Sequence, residues 1–326
     1  MTAVVDRPPE RTSTESVPLA DERAFRAVVR GCAIVTLLLM GLIALFLLLR
    51  SWPALHRAGF SFLTEKRWLP DVNHFGVAAL LSGTVVIGCI ALLVAVPLAL
   101  GASLFINEYA PRRLRRLLVS MIDLMAAVPS IVYGLWGFFF LQPRMIGLSR
   151  WLSAHLGGVL PFLHVHDADT PSSFTSSAFI AGTVVGIVVV PTVTSVMREV
   201  FSQAPVAERE AALALGSTKW GMIRTVVIPF GRGGIIGGAM LGLGRALGET
   251  IAVYLIISPI LDYTTHPLQS GSNTIAAFIA SRSTESSSIG LAGLLGAGLV
   301  LFLLTLLVNS IAAVIVARSR SGAVTE

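Results

Sequence analysis

Apolar residues run in long blocks along this chain, and polar residues gather between them. Six blocks stand out, at about 31–49, 77–106, 117–141, 177–197, 232–258 and 289–317. Each is continuously apolar, and each reaches the ~18 residues a helix needs to cross a ~30 Å hydrocarbon core. The pattern predicts an all-α integral membrane protein with six transmembrane helices. It disfavours a membrane β-barrel, whose strands alternate every second residue. Pro97 predicts a tilt or kink in span two, and Pro129 with Gly134 predicts an irregular span three.

Composition agrees with the blocks. Of 326 residues, 54% are hydrophobic and only 13% charged, and the mean hydropathy is +0.80. A soluble domain carries about 25% charged residues. The net charge of +6 comes from arginines flanking the spans, with no interleaved aromatic patch, so no nucleic-acid partner is expected. Cys32 and Cys89 lie in apolar runs without metal-ligand spacing and read as small buried hydrophobes. Residues 1–30 mix both charge signs with Pro8, Pro9 and Pro18, which predicts a disordered tail rather than a cleavable signal.

Lysine and arginine set the orientation. They are concentrated in the tail 1–30, in the 112–116 loop, in the 198–232 connection and at Arg318 and Arg320. By the positive-inside tendency these segments, with both termini, face the cytoplasm. The domain plan is then a cytoplasmic tail 1–30, a transmembrane domain 31–317 and a cytoplasmic tail 318–326. Loops 50–76, 143–176 and 259–288 face outward. The loop sequence His164–Asp169 (HVHDAD) collects potential metal ligands but lacks a distant partner cluster, so no metal site is expected.

The connection 204–229, APVAEREAALALGSTKWGMIRTVVIP, reads as two short helices. Pro205 and Glu208 suit a helix start, Gly216 a left-handed stop, and Ser217 or Thr218 the next cap. Trp220, Ile223 and Val227 are expected on one face. By pattern alone this unit is an amphipathic helix pair on the membrane surface or a docking element. No Walker A sequence occurs in the chain. The chain is therefore expected to be non-catalytic and to bind no cofactor, with any ATP and Mg²⁺ held by a partner subunit.

Span five raises the sharpest question, because LGRALGETIAV places Arg245 and Glu249 inside an apolar run. Counting at 1.5 Å per residue sets Arg245 roughly 20 Å from each end of the span, at mid-depth. A charge there costs about 2.5–3.5 kcal/mol and normally faces the interior or water. The two residues are spaced to touch on a continuous helix, but Arg before Glu is the weaker orientation for helix support. Gly238, Gly242, Arg245 and Glu249 would share a face, with the glycines giving the pair room. Two readings stand: a mid-depth anion step, or a salt bridge locking the helix to a neighbour. Ser130 and Tyr133, beside Pro129, are candidate pathway donors, with a packing kink the competing reading. Glu108 and Asp123 read as interfacial, and Asn309 as an interhelical hydrogen bonder.

Glu210-Ala211-Ala212, then Gly216, then Ile228-Pro229 resemble the EAA loop of ABC importer permeases, with Val226 a mild departure. RALGET (245–250), AAVPSIVYGLWGFFFLQP (126–143), RWLPDVNHFGVAALLSGTV (67–85) and VLFLLTLLVNSIAAVIV (300–316) resemble the PstC-type permeases of phosphate importers. The resemblance covers about residues 30–317. It implies the type I ABC importer permease fold, in the cytoplasmic membrane, with Glu210, Ala211, Ala212, Gly216 and Trp220 coupling to the ATPase. It also implies a PstA-type permease partner, two ATP-binding subunits and an extracytoplasmic phosphate-binding protein. The substrate pathway expected on these grounds comprises Arg245, Glu249, Ser130 and Tyr133. An ABC permease for sulfate or molybdate, or an anion channel or carrier without an ATPase, are the alternatives.

Overall fold

The computed structural model describes residues 19–72, 74–165, 167–284 and 287–320. Helix α1 (Leu19–Ala58) opens the chain. It starts well inside the segment expected to be a disordered tail, and an Arg26–Glu22 pair one turn apart lies on it; residues 1–18 lie outside the described residues. Residues up to Phe46 form one compact unit and the chain from Leu47 another, which carries the remaining elements and the core.

After α2 (Ser61–Thr64), β1 (Trp68–Leu69) and β2 (His74–Phe75) form a small antiparallel hairpin with Trp68 opposite Phe75. Next come α3 (Ala78–Leu104), α4 (Arg112–Ala127), α5 (Ser130–Trp136), α6 (Gln142–Leu156) and α7 (Ala178–Ser202). Short helices α8 (Val206–Ala214), α9 (Lys219–Met222) and α10 (Ile228–Phe230) lead into α11 (Arg232–Leu247). The chain ends with α12 (Ile251–Ile256), α13 (Ile275–Arg282) and α14 (Ser288–Arg320).

Five described helical segments are long and apolar enough to cross a membrane: 24–58, 78–109, 130–156, 178–202 and 288–317. A sixth arises if the bent pair 219–230 and 232–247, which turn 66° from one another, is taken as one span. Two expected spans are corrected. Span three, expected at 117–141, is divided: α4 stops at Ala127, and the apolar rod restarts at Ser130 and runs to Leu156. The break falls at Val128-Pro129, where Pro129 lacks an N–H and pushes the preceding residue out of the helical region. Span five is broken at Gly248–Thr250. The 259–288 loop is also less simple than expected, since its 275–282 segment is a helix with Ile275 to Phe278 buried.

Three turns widen to π geometry, at Phe105–Tyr109, Gly137–Leu141 and Ile223–Val227. In each case a proline follows two residues after the turn: Pro111, Pro143 and Pro229. A proline cannot donate its N–H and its ring crowds the carbonyl four residues back, so the preceding turn relaxes outward.

The core is organised around α7, which packs on α3, α11 and α12. Small residues permit the close approach. A Cβ added at Gly182 would fall 2.7 Å from Ile90, and one at Gly242 2.6 Å from Val193. Where lipid surrounds the bundle no hydrophobic drive draws helices together, and such backbone-to-side-chain contact supplies dispersion energy instead. Between α5 and α12 the approach is to backbone, where a Cβ on Gly134 would stand 2.9 Å from Ala252 Cα. At the far end, Trp68 stands edge-on to Phe278 at 4.9 Å, and Phe62 and Phe75 fill a second core between α3, α13 and α14. There the 258–274 segment docks on α3: Ile275 N–H donates to Thr84 Oγ1 at 3.0 Å, and a Cβ at Gly83 would strike the Asn273 carbonyl.

Candidate functional site

The break in span five decides what Arg245 and Glu249 do. A four-residue spacing brings side chains together only while the helix continues. Here α11 ends at Leu247, and Gly248 and Glu249 close it with bonds to the Arg245 and Ala246 carbonyls at 3.2 Å each. The expected Arg245–Glu249 contact is not made, and neither side chain joins an ion pair among the described residues. Glu249 turns inward and is buried. One of its carboxylate oxygens accepts from the Ala252 N–H at 3.4 Å, at the start of α12, where unpaired N–H groups favour a negative charge. Arg245, in the last turn of α11, stays exposed on this chain.

The glycine face also differs from expectation. Gly238 and Gly242 are buried against α7, with Val193 and Met197 as neighbours, so they serve helix packing rather than room for the charged pair. Asn309 of α14 lies against Gly244, one residue from Arg245: a Cβ there would be 3.0 Å from its Oδ1.

Ser130 opens α5, immediately after the break in span three. Tyr133 lies one turn on, and its hydroxyl donates to the Met125 carbonyl of α4 at 2.9 Å, a staple across the break. That donor is therefore engaged, and only the phenol's acceptor side is open. Packing of α5 on α12 brings the break in span three and the break in span five into one neighbourhood. Asp123 lies in α4 and lines a cleft with Arg115, Arg116 and Arg198.

The 204–229 segment forms the expected two helices. Gly216 takes φ +83°, which only glycine adopts without strain, and Thr218 Oγ1 accepts from the Gly221 N–H at 3.1 Å to cap α9. Ala212 packs on the core, while Glu210, Ala211 and Gly216 are exposed. The expected common face of Trp220, Ile223 and Val227 is corrected. Ile223 and Val227 are fully buried, but Trp220 points outward with 57% of its surface free. Trp220 lies in the α-helical turn that precedes the π turn of Ile223–Val227. Leu215 is 89% exposed on the same unit, so α8 and α9 present an apolar knob beside Glu210.

Comparison with known proteins decides the lineage. The model of the binding-protein-dependent transport system inner membrane component matches residues 95–321. The chain belongs to this family. It is thereby a permease subunit of a binding-protein-dependent ABC importer, with the type I importer fold. It is 40% identical over 305 residues to phosphate transport system permease protein PstC 2 of Mycobacterium tuberculosis, covering 92% of this chain and 93% of that one. It is 39% identical to the PstC of Mesorhizobium japonicum, over 92% and 91% of the two chains. Among solved structures, a chain of the inward-facing MetNI methionine transporter superposes with TM-score 0.52 at 14% identity, covering 74% of this permease and 95% of its own length. A chain of a bacterial importer of the acidic polysaccharide alginate gives TM-score 0.51 at 17% identity, over 91% and 99%.

Outside the spans, Lys66 links two loops. Its ammonium donates to Asp262 at 2.9 Å and stands 4.2 Å from the Tyr263 ring centre. The Lys66 hydrogen bond, aided by the Tyr263 N–H, holds the Asp262 carboxyl below its ordinary pKa. Glu65 is lowered in the same direction, chiefly by the Arg67 N–H and then by the Lys66 N–H.

Sequence reasoning missed one group of residues. Glu108, read as interfacial, lies 2.9 Å from Arg209 of α8, with its side chain only 5% exposed. The pairing joins positions a hundred residues apart, and no local pattern announces it.

Proposed function

We propose that this chain is the PstC-type permease subunit of an ATP-driven inorganic phosphate importer. The observation that carries the proposal is the exposed Arg245 guanidinium at the broken centre of span five, not neutralised by Glu249. A fixed cation at mid-depth suits a small multiply charged anion, and the identity to PstC proteins over nine-tenths of the chain favours phosphate among oxyanions. In this reading a PstA-type permease completes the pathway and an extracytoplasmic binding protein delivers phosphate to the outer loops. Two ATP-binding subunits dock on the Glu210–Trp220 knob, and both termini of the permease lie in the cytoplasm. Ser130 and the acceptor side of Tyr133 line the same region as Arg245. The permease performs no chemistry: ATP and Mg²⁺ stay on the ATPase.

The test is uptake of labelled phosphate into vesicles containing all the partners, with and without binding protein and ATP. Uptake dependent on both, and not competed by sulfate or molybdate, is expected. Transport of sulfate in preference to phosphate overturns the substrate. Uptake by this chain without an ATPase subunit overturns the importer reading.

A further inference from the structure

Asn107, Glu108 and Tyr109 lie in the π turn that closes α3. In the structure each side chain leaves the π turn toward a different element. Asn107 Nδ2 donates to the Arg198 carbonyl of α7 at 2.7 Å, and its Oδ1 accepts from Arg115 of α4 at 3.1 Å. Glu108 lies 2.9 Å from Arg209 Nη1 of α8. The Lys219 ammonium of α9 stands 4.7 Å from the Tyr109 ring centre. Arg209 itself donates through Nη2 to the Phe201 carbonyl at 2.6 Å. Three consecutive residues at the end of α3 therefore tie α4, α7, α8 and α9 together.

The charged pair is a poor stability device. Both groups leave water, Glu108 to 5% and Arg209 to 20% side-chain exposure. Their contact is off the hydrogen-bonding direction, so Glu108 Oε1 and Arg209 Nε have no hydrogen-bond partner. A buried pair this incompletely satisfied at best offsets its own desolvation, and an apolar pair would hold α8 as firmly. What a buried pair supplies better than an apolar contact is register: a defined seat between two elements. The seat lies between the helix carrying the Glu210-Ala211-Ala212 knob and the end of a span that packs along α7.

We propose that Glu108 is the receiving end of the coupling helix. Through Arg209 it holds α8 in register with α3, so that displacement of α8 by a docked ATPase moves α3 and α4 instead of slipping across the bundle end. Glu108 and Arg209 are positioning residues that touch neither substrate nor nucleotide. The proposal rests on reading 204–229 as the ATPase-docking unit.

The experiment uses the complete complex in proteoliposomes. It measures ATPase co-purification, basal ATP hydrolysis, and the stimulation of hydrolysis by phosphate-loaded binding protein. E108Q is expected to keep co-purification and basal hydrolysis while stimulation falls by roughly two- to thirtyfold, the range for residues that carry coupling between sites. E108R should fall further, and the exchanged pair E108R/R209E should recover most of the stimulation. Unchanged stimulation in E108Q, or an exchanged pair no better than E108R alone, overturns the proposal. If every alteration prevents assembly, the pair holds the fold rather than relays motion, and that result overturns it too. Co-purification reports docking at 204–229 and the stimulation ratio reports the pair, so the two readings fail separately. A wild-type complex stimulated by binding protein but moving no phosphate sinks the substrate reading alone.

Discussion

Two arginine–glutamate sets in this permease stand in opposite relation to their sequence. Arg245 and Glu249 stand four residues apart and do not meet. Glu108 and Arg209 stand a hundred residues apart and do. The difference lies in what holds each carboxylate. Glu249 is satisfied locally, by the start of α12 that the helix break creates. Glu108 is reached only through a second helix folding back under α3. A charge held by its own backbone leaves its sequence neighbour free, whereas a charge held by a distant side chain fixes two elements together. The first arrangement suits a pathway, where Arg245 must be available, and the second a mechanical link.

The contrast stands or falls first on Arg245. R245Q should lower phosphate uptake roughly 10- to 150-fold, the value of about 1.5–3 kcal/mol for a hydrogen bond to a charged group, with complex assembly intact. Initial uptake rates in vesicles check it, and a rate equal to wild type removes Arg245 from the pathway. At the other pole, W220A should weaken retention of the ATPase subunit by roughly tenfold, since exposed tryptophans of docking faces typically contribute more than ~1 kcal/mol. Titrated pull-down measures it; full retention means the knob docks nothing.

E249Q probes the other half of the unmet pair. The amide oxygen still accepts from Ala252, so uptake should fall by less than about threefold, near the lower end of a capping effect. A loss as deep as that of R245Q would mean that the two charges act as a pair after all. The mildest change belongs to the Lys66–Asp262 pair between two loops. Asp262 is held below its ordinary pKa by Lys66, so the folded state binds that proton less readily than the unfolded one. Its contribution is present above the unfolded value of about 4 and disappears as pH falls through the lowered folded value. As an exposed pair it contributes at most about 1 kcal/mol. D262N should therefore lower thermal stability slightly at pH 7 and not at all at pH 2, as followed by unfolding in detergent.

The first, second, fourth and sixth expected spans were legible to within a few residues at most of their ends because hydropathy marks them. The breaks were less so. Gly248 interrupts an apolar run without changing its composition, so Arg245 and Glu249 look like neighbours on one turn. In span three the apolar stretch of α4 merges with that of α5, and Arg144 hides the rod's true extent. Its guanidinium lies 3.6 Å from the Phe140 ring centre and donates to the Phe140 carbonyl, so a charge sits inside a helix that hydropathy would end. The helices of 204–229 were legible down to the left-handed Gly216, because turn and cap chemistry is local. The outward Trp220 was not, since an i, i+3 spacing to Ile223 predicts a shared face that tertiary packing does not use. The Glu108–Arg209 seat had no local signal at all.

The joint between Gly134 and Ala252 ties these regions to one another. The Ala252 backbone and the Leu255 side chain of α12 both close on Gly134, which leaves no room for a side chain there. The helix that restarts after the break in span three therefore rests directly on the helix that restarts after the break in span five. A methyl group at Gly134 would meet Ala252 and Leu255 at once, so enlarging that one residue displaces both restarted helices together.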